Sequence, residues 1–334
     1  MKKRCLAVFL SVLLLLTSLT GCTSVVQKKK EGVFTVLTSF YPMYVLVLNI
    51  VDGAENVEIR NLANPSTGCL HDYQMKPTDM VNMEQADVMV INGSGMEEFL
   101  DDARKGISNL PIIDATEGLE LLESETSHLE GEEIHSEEEH DHDEHDHDDH
   151  DHSHGEYNSH AWLSLPLYKE QVQIVADGLA KANPDNAEIY EKNAKKYIKK
   201  INALMELEEE VKSVTEGKKI VVLHEAFAYL AKDLGMDVVD SLEVETDAGL
   251  SAGQIRAIIE NVRQSGADLI VSEKQYSGNI GHTLENELGI LDITLDSGVT
   301  GETLKDSYLN AMEENLKLLK EAFTDGTQLR LSLY

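Results

Sequence analysis

Short apolar runs recur along the chain, separated by longer amphipathic stretches. Phe34–Ser39, Val57–Leu62, Ala86–Asn92 and Pro111–Asp114 read as strands, with helical patterns from Tyr41-Pro42 onward, over Pro77–Gln85 and over Met96–Lys105. The second half repeats the alternation. Strands are expected at Lys219–Leu223, Val238–Val244, Asp268–Ser272 and Ile290–Leu295, and helices over Glu225–Leu234, Ser251–Gln264, Asn279–Leu288 and Leu304–Phe323. Ser251 is placed to cap one helix, and Gly235 and Gly289 to end two others. Strands alternating with helices are the pattern of parallel βαβ units. Between the halves, Leu165–Ala182 is amphipathic, and Pro184-Asp185 restarts a helix that runs from Asn186 to about Val214. Its apolar positions, among them Ile189, Tyr190, Tyr197, Ile201, Leu204 and Val211, follow the helical period. A helix of that length spans about 40 Å at roughly 1.5 Å per residue, the width of a domain. The expected architecture is α/β: two α/β lobes with parallel-type sheets flanked by helices, joined by one long bridging helix. The lobes are placed at residues 33–165 and 215–334, with linking helices over 166–214.

One segment breaks the alternation. Between Glu130 and Glu156 the chain carries fourteen Asp or Glu, eight His and no Lys or Arg. With almost no apolar residue it cannot bury enough surface to order itself, so a mobile loop is expected over 120–157. The formal charge of the 334-residue chain is −33, and this stretch holds a large share of it. Such acidity repels nucleic acid and anionic headgroups and favours cations, so no nucleic-acid partner is expected. On a flexible chain, His140, His142, His145, His147, His150, His152 and His154 can form several interchangeable, low-affinity metal sites. The interleaved carboxylates raise the local cation concentration.

The N-terminus reads as a targeting signal. Lys2, Lys3 and Arg4 precede the apolar run Leu6–Leu16, and Leu19-Thr20-Gly21-Cys22 follows. The run is too short to span a membrane comfortably. Residues 1–21 are read as a signal peptide and 22–32, polar and lysine-rich, as a tether. The Leu-Thr-Gly-Cys ending resembles the bacterial lipobox, which implies acylation of Cys22 and anchorage to the outer face of the cytoplasmic membrane. ATP and NAD are scarce there, and no phosphate-cradling Gly-rich motif follows a strand; Gly93-Ser94-Gly95 is too short. The three cysteines, Cys5, Cys22 and Cys69, make no disulfide framework, and only Cys69 lies in the folded part.

Four histidines stand outside the acidic region: His71, His160, His224 and His282. A single histidine is more often a surface or hydrogen-bonded core residue than a ligand. Position singles out three of them. His224 ends the apolar run Ile220–Leu223, and ligand-binding groups of open α/β sheets cluster at the carboxyl ends of strands. Asp296 ends Ile293-Thr294-Leu295 in the same way. His71 follows the loop Asn64–Leu70, and His160 follows the acidic loop, beside Trp162. Three nitrogens and one oxygen form a four-coordinate set suited to Zn²⁺. Imidazole also suits copper and nickel, oxygen-rich sets suit manganese, and no Cys or Met cluster that would favour Cu(I) is legible.

Three segments carry a resemblance: Cys69-Leu70-His71-Asp72-Tyr73-Gln74, His160-Ala161-Trp162-Leu163-Ser164 and His224-Glu225-Ala226-Phe227-Ala228-Tyr229-Leu230. They resemble the signature segments of the metal-binding lipoproteins of zinc and manganese ABC importers, the cluster A-I solute-binding proteins, some once called adhesins. The resemblance runs from about Phe34 to the C-terminus. It implies that His71 and His160 are ligands. It also implies that the third position is His in zinc binders and Glu in manganese binders; here it is His224, with Glu225 pointing away. The fourth ligand it implies is an acidic residue in the last strand-to-helix loop, best matched by Asp296, a place that some zinc members give to water. The implied function is a non-catalytic, monomeric carrier of Zn²⁺, with Mn²⁺ as the alternative cargo, that hands its metal to a membrane permease.

Two positions depart from that pattern. Cys69 stands where the family usually has an acidic or small residue, and its thiol is either a competing zinc donor or an inert buried group. Gln74-Met75-Lys76-Pro77 lacks the family's acidic residue after the tyrosine, which bears on the hydrogen bonding of His71. His282 matches no motif and is expected at the surface. A zinc hydrolase is the rival class, with Glu225 or Asp72 as its base, but no His-Glu-x-x-His or similar short-spaced motif is present. The tether would also permit a surface interaction protein, yet no repeats or apolar patches are legible.

Overall fold

The computed structural model describes residues 29–70, 73–107, 109–124, 156–242, 251–276 and 280–332, without the side chains of 102, 104, 105 and 325–332. The expected signal peptide, Cys22, His71, Asp72 and the histidines from His140 to His154 lie outside the described residues.

The first sheet holds β1 (Phe34–Thr38), β2 (Val57–Asn61), β3 (Val88–Ile91) and β4 (Ile112–Asp114), in the order β2-β1-β3-β4. The second holds β5 (Lys219–Val222), β6 (Asp237–Ser241), β7 (Leu269–Glu273) and β8 (Leu291–Leu295), in the matching order β6-β5-β7-β8. All neighbours are parallel. Helices α1 (Tyr41–Ile50), α2 (Pro77–Gln85) and α3 (Leu100–Gly106) belong to the first lobe. Helices α4 (Leu165–Ala182) and α5 (Ala187–Thr215) link the lobes. The second lobe has α6 (Ala228–Asp233), α7 (Ala252–Ser265), α8 (Ile280–Leu288) and α9 (Ser307–Ser332). The architecture is the expected one: two α/β lobes with a 29-residue helix, α5, between them. No helix among the described residues is long and apolar enough to cross a membrane.

Strands β3 and β7 are buried along their whole length because helices cover both faces of each sheet, which is why they read as unbroken apolar runs. Local signals place the helices. Ser251 and Gln254 form a capping box on α7, and Gly266 ends it in the left-handed conformation. The Ser164 hydroxyl caps α4 by accepting from Leu167 N.

Several boundaries differ from the sequence reading. Helix α3 starts at Leu100, not Met96, because Gly93, Ser94 and Gly95 all have positive φ and the Glu97 carboxylate folds back onto the Asn92 and Gly93 N–H groups. The glycine-rich run that is too short to cradle a phosphate is closed by its own carboxylate. A side chain at Gly93 would collide with Asp114 and Thr116. The ends of the acidic loop are paired: Glu123 bridges Tyr157 in antiparallel fashion, and Asn158 N donates to Leu122 O. At the tether's end, Lys29 and Lys30 pair with Asp87 and Glu58.

One hydrophobic core runs through both lobes, joining Val36 and Val90 of the first sheet to Val222 and Leu295 of the second through Trp162, Tyr168 and Ile201. The Tyr168 and Tyr308 rings stack 3.8 Å apart. Hydrogen bonds cross the same boundary. Trp162 Nε1 donates to Ser297 O at 2.8 Å, Tyr308 Oη to Trp162 O at 2.6 Å and Tyr41 Oη to Glu302 O at 2.7 Å. Close packing of this kind resists rigid separation of the lobes.

Glu208 of α5 is buried, and its Oε1 has no hydrogen-bond partner among the described residues. Burial, reinforced by Asp233, pushes its carboxyl up to about 8. The folded state therefore holds a proton that the unfolded chain releases near the ordinary glutamate value, and stability falls as pH rises through this window. Glu208→Gln removes the ionisation and is expected to raise Tm at pH 8 while leaving it nearly unchanged at pH 5; thermal melts at both values check this.

Candidate metal centre

His160 and His224 approach each other across the boundary between the lobes. Their ring centroids are 4.9 Å apart and nearly perpendicular. His160 is fully buried and His224 nearly so.

Each ring is fixed through Nδ1. Asn158 Oδ1 lies 3.1 Å from His160 Nδ1 and 2.9 Å from the His160 backbone N. A carbonyl oxygen only accepts, so Nδ1 carries the proton and Nε2 keeps its lone pair. The Asn158 amide is itself anchored, Nδ2 donating to Glu225 O at 3.0 Å. His224 follows the same plan, with its Nδ1 2.6 Å from Glu273 Oε2, both side chains being buried. Each ring thus presents Nε2 as its donor atom. This is how a metal-binding imidazole is held, by a hydrogen bond on the nitrogen away from the metal.

Strand ends supply these groups. His224 stands two residues past the end of β5, and Glu273 is the last residue of the neighbouring β7. The His160 segment is braced from the end of β3, where Asn92 Nδ2 donates to Ser159 O at 2.8 Å. Glu97 holds the Asn92 N–H, and burial pushes this carboxyl up to about 7 against the bonds that pull it down. Cys69, in the loop after β2, places Sγ 3.4 Å from His160 Nε2 and 3.8 Å from Met96 Sδ. The sulfur pair, illegible in the sequence, is formed by residues 27 apart.

Asp296 follows the last residue of β8 but serves a network of its own. Gln275 Nε2 donates to it at 2.8 Å, Gly298 N at 2.8 Å and Lys274 Nζ at 3.1 Å. It lines a cleft of about 480 Å³ with Tyr41, Lys274 and Thr300. The structure therefore sets His160 against both His224 and Cys69, and gives Asp296 a set of partners of its own. Among the described residues no three His, Cys, Asp or Glu groups stand as a complete metal set. Glu225 turns towards the loop stem, where Ser124 Oγ donates to it at 2.9 Å. His282 is exposed, 3.7 Å from Glu285.

Residues 36–322 match the family model described as ZnuA, zinc-uptake complex component A, periplasmic. The chain belongs to the ZnuA family. It is 33% identical over 294 residues to the high-affinity zinc uptake system protein ZnuA of Bacillus subtilis, covering 86% of both chains. It is 32% identical to the zinc-binding lipoprotein AdcA of Streptococcus pneumoniae, of which it spans 58%. Among solved structures, Zn(II)-bound AdcA of that species is similar with a TM-score of 0.69 and 26% identity over 87% of this chain and 58% of AdcA. FpvC of Pseudomonas aeruginosa in complex with Ni²⁺ shares the fold, with a TM-score of 0.70, 22% identity and coverage of 88% and 98%.

The site's supporting groups, Asn158 and Glu273, escaped the sequence reading. Glu273 ends the apolar run Leu269–Ser272 and carries the same strand-end signal as His224 and Asp296. Asn158 has no such signal. In the metal-free protein at pH 8, long-range ¹H–¹⁵N correlation is expected to show both His160 and His224 protonated on Nδ1. Protonation of either on Nε2 contradicts the assignment.

Proposed function

We propose that this chain is an extracytoplasmic zinc-binding component of an ABC importer, taking up Zn²⁺ and delivering it to a membrane permease. The observation that supports the reading is the pair of buried imidazoles, ring centroids 4.9 Å apart and each hydrogen-bonded through Nδ1, in a ZnuA-family chain. His71, His160 and His224 hold the cargo. Asp296 is available as a fourth donor if it releases Lys274 and Gln275. A nitrogen-rich set favours zinc, with Mn²⁺ as a secondary cargo. Only neutral imidazole coordinates, so binding weakens as pH falls through the histidine range.

The protein acts as a carrier and not an enzyme, since Glu225, one of the bases a hydrolase reading would require, faces Ser124 at the loop stem. It works as a monomer, anchored to the outer face of the membrane through acylated Cys22. His140, His142, His145, His147, His150, His152 and His154 gather zinc near the cleft. The lobes, 33–165 and 215–334, stay joined through 166–214 while the metal enters and leaves by local movement.

Metal content measured on protein lacking residues 130–156 tests the site. One tight zinc equivalent is expected, lost when His71, His160 and His224 are all changed to Ala; retention by that triple variant sinks the proposal. Glu273→Gln keeps the shape but weakens the hold on His224 Nδ1, and is expected to cost roughly 10–100-fold in zinc affinity. In the full-length protein, removal of 130–156 is expected to slow uptake only when zinc is scarce, and unchanged uptake there refutes the capture role.

A further inference from the structure

A groove of about 900 Å³ follows β6, the outermost strand of the second sheet. No residue of that strand is fully buried. Leu121 and Leu122 of the loop stem, with Met236 and Val238 at β6, supply the apolar lining. The stem is held firmly. Tyr229 Oη accepts from Leu122 N at 3.1 Å and donates to Asn158 O at 2.7 Å, and Glu123 bridges Tyr157 across the stem. Tyr157 is 43% exposed, one of two large apolar side chains so placed among the described residues. Four carboxylates line the groove, Glu123, Glu225, Asp237 and Asp240, against one cation, Lys232.

We propose that this groove docks an extended cationic segment of a partner protein, its apolar side chains against the leucines, Met236 and Val238 and its Lys or Arg against the carboxylates. No metal takes part, so the docking is independent of the zinc-carrier reading. The five residues of β6, at roughly 3.3 Å each, match an extended segment of about the same length. Apolar contact supplies affinity and charge supplies selectivity, and a chain of net charge −33 draws a cationic partner towards itself. The same signs argue against two other occupants. The chain's own stretch from Glu130 to Glu156, with fourteen acids and no Lys or Arg, is repelled by this lining, and so is a second, equally acidic copy. Side chains dominate recognition, because Val239 is an extra residue in the pairing of β5 with β6, and a bulged edge is a poor template for a long added strand.

Methyl-labelled methionine reports the groove by NMR, because Met236 lines it; Met236→Leu assigns the signal. The full chain is titrated with the peptide acetyl-Lys-Val-Lys-Val-Lys-Val-Lys-amide at an ionic strength of about 0.15 M. The Met236 signal is expected to shift and saturate, and the same peptide with Glu in place of Lys to leave it unmoved. Glu123→Lys and Asp237→Lys together, both at exposed positions, should weaken the Lys peptide roughly tenfold. Glu123→Gln with Asp237→Asn should weaken it less. Docking is refuted if the Met236 signal stays put, whether or not the peptide binds elsewhere, or if the charge-reversed variant binds as tightly as the parent. It is also refuted if the signal moves with protein concentration alone, the mark of a second copy, or on removal of residues 130–156 alone, the mark of the chain's own segment. The carrier reading fails separately, if the triple His variant keeps its tight zinc.

Discussion

Two hydrogen bonds organise this molecule's chemistry: His160 Nδ1 donating to Asn158 Oδ1 and His224 Nδ1 to Glu273 Oε2. An imidazole has two nitrogens and can present either. With an acceptor fixed on Nδ1, each ring shows only Nε2 to the lobe boundary. Burial makes the choice firm, because a buried ring that flips leaves a polar group without a partner. The carboxylate on His224 does more than orient, since a negative partner also raises the basicity of the nitrogen left for the metal.

The frame keeps those two bonds in register. His160 sits on the segment braced by Asn92, Glu97 and the α4 cap, whereas His224 and Glu273 come from adjacent strands of the second sheet. A core shared between the lobes and the 29-residue helix α5 hold the two halves together. Such a frame suits exchange by small movements of donors and loops better than wide opening of a hinge.

Much of this was legible in the sequence, and the misses have physical reasons. Parallel strands buried on both faces leave unbroken apolar runs, so the sheets could be read strand by strand. His224 stands out because it ends such a run, and Glu273 ends one too but lies outside any motif. Asp296 was found by the same rule, yet its partners Lys274 and Gln275 come from a different turn, and pairing at that separation leaves no trace in spacing. Met96 and Cys69 meet only because the fold brings two loops together. The start of α3 was misplaced because a carboxylate reaching back to two backbone N–H groups competes with helix formation.

Zinc is expected between the Nε2 atoms of His160 and His224. Anomalous diffraction at the zinc edge, from crystals of protein loaded with one equivalent, tests it most directly. One strong peak is expected about 2.1 Å from both Nε2 atoms. A strong peak elsewhere, with none between these two rings, would contradict it.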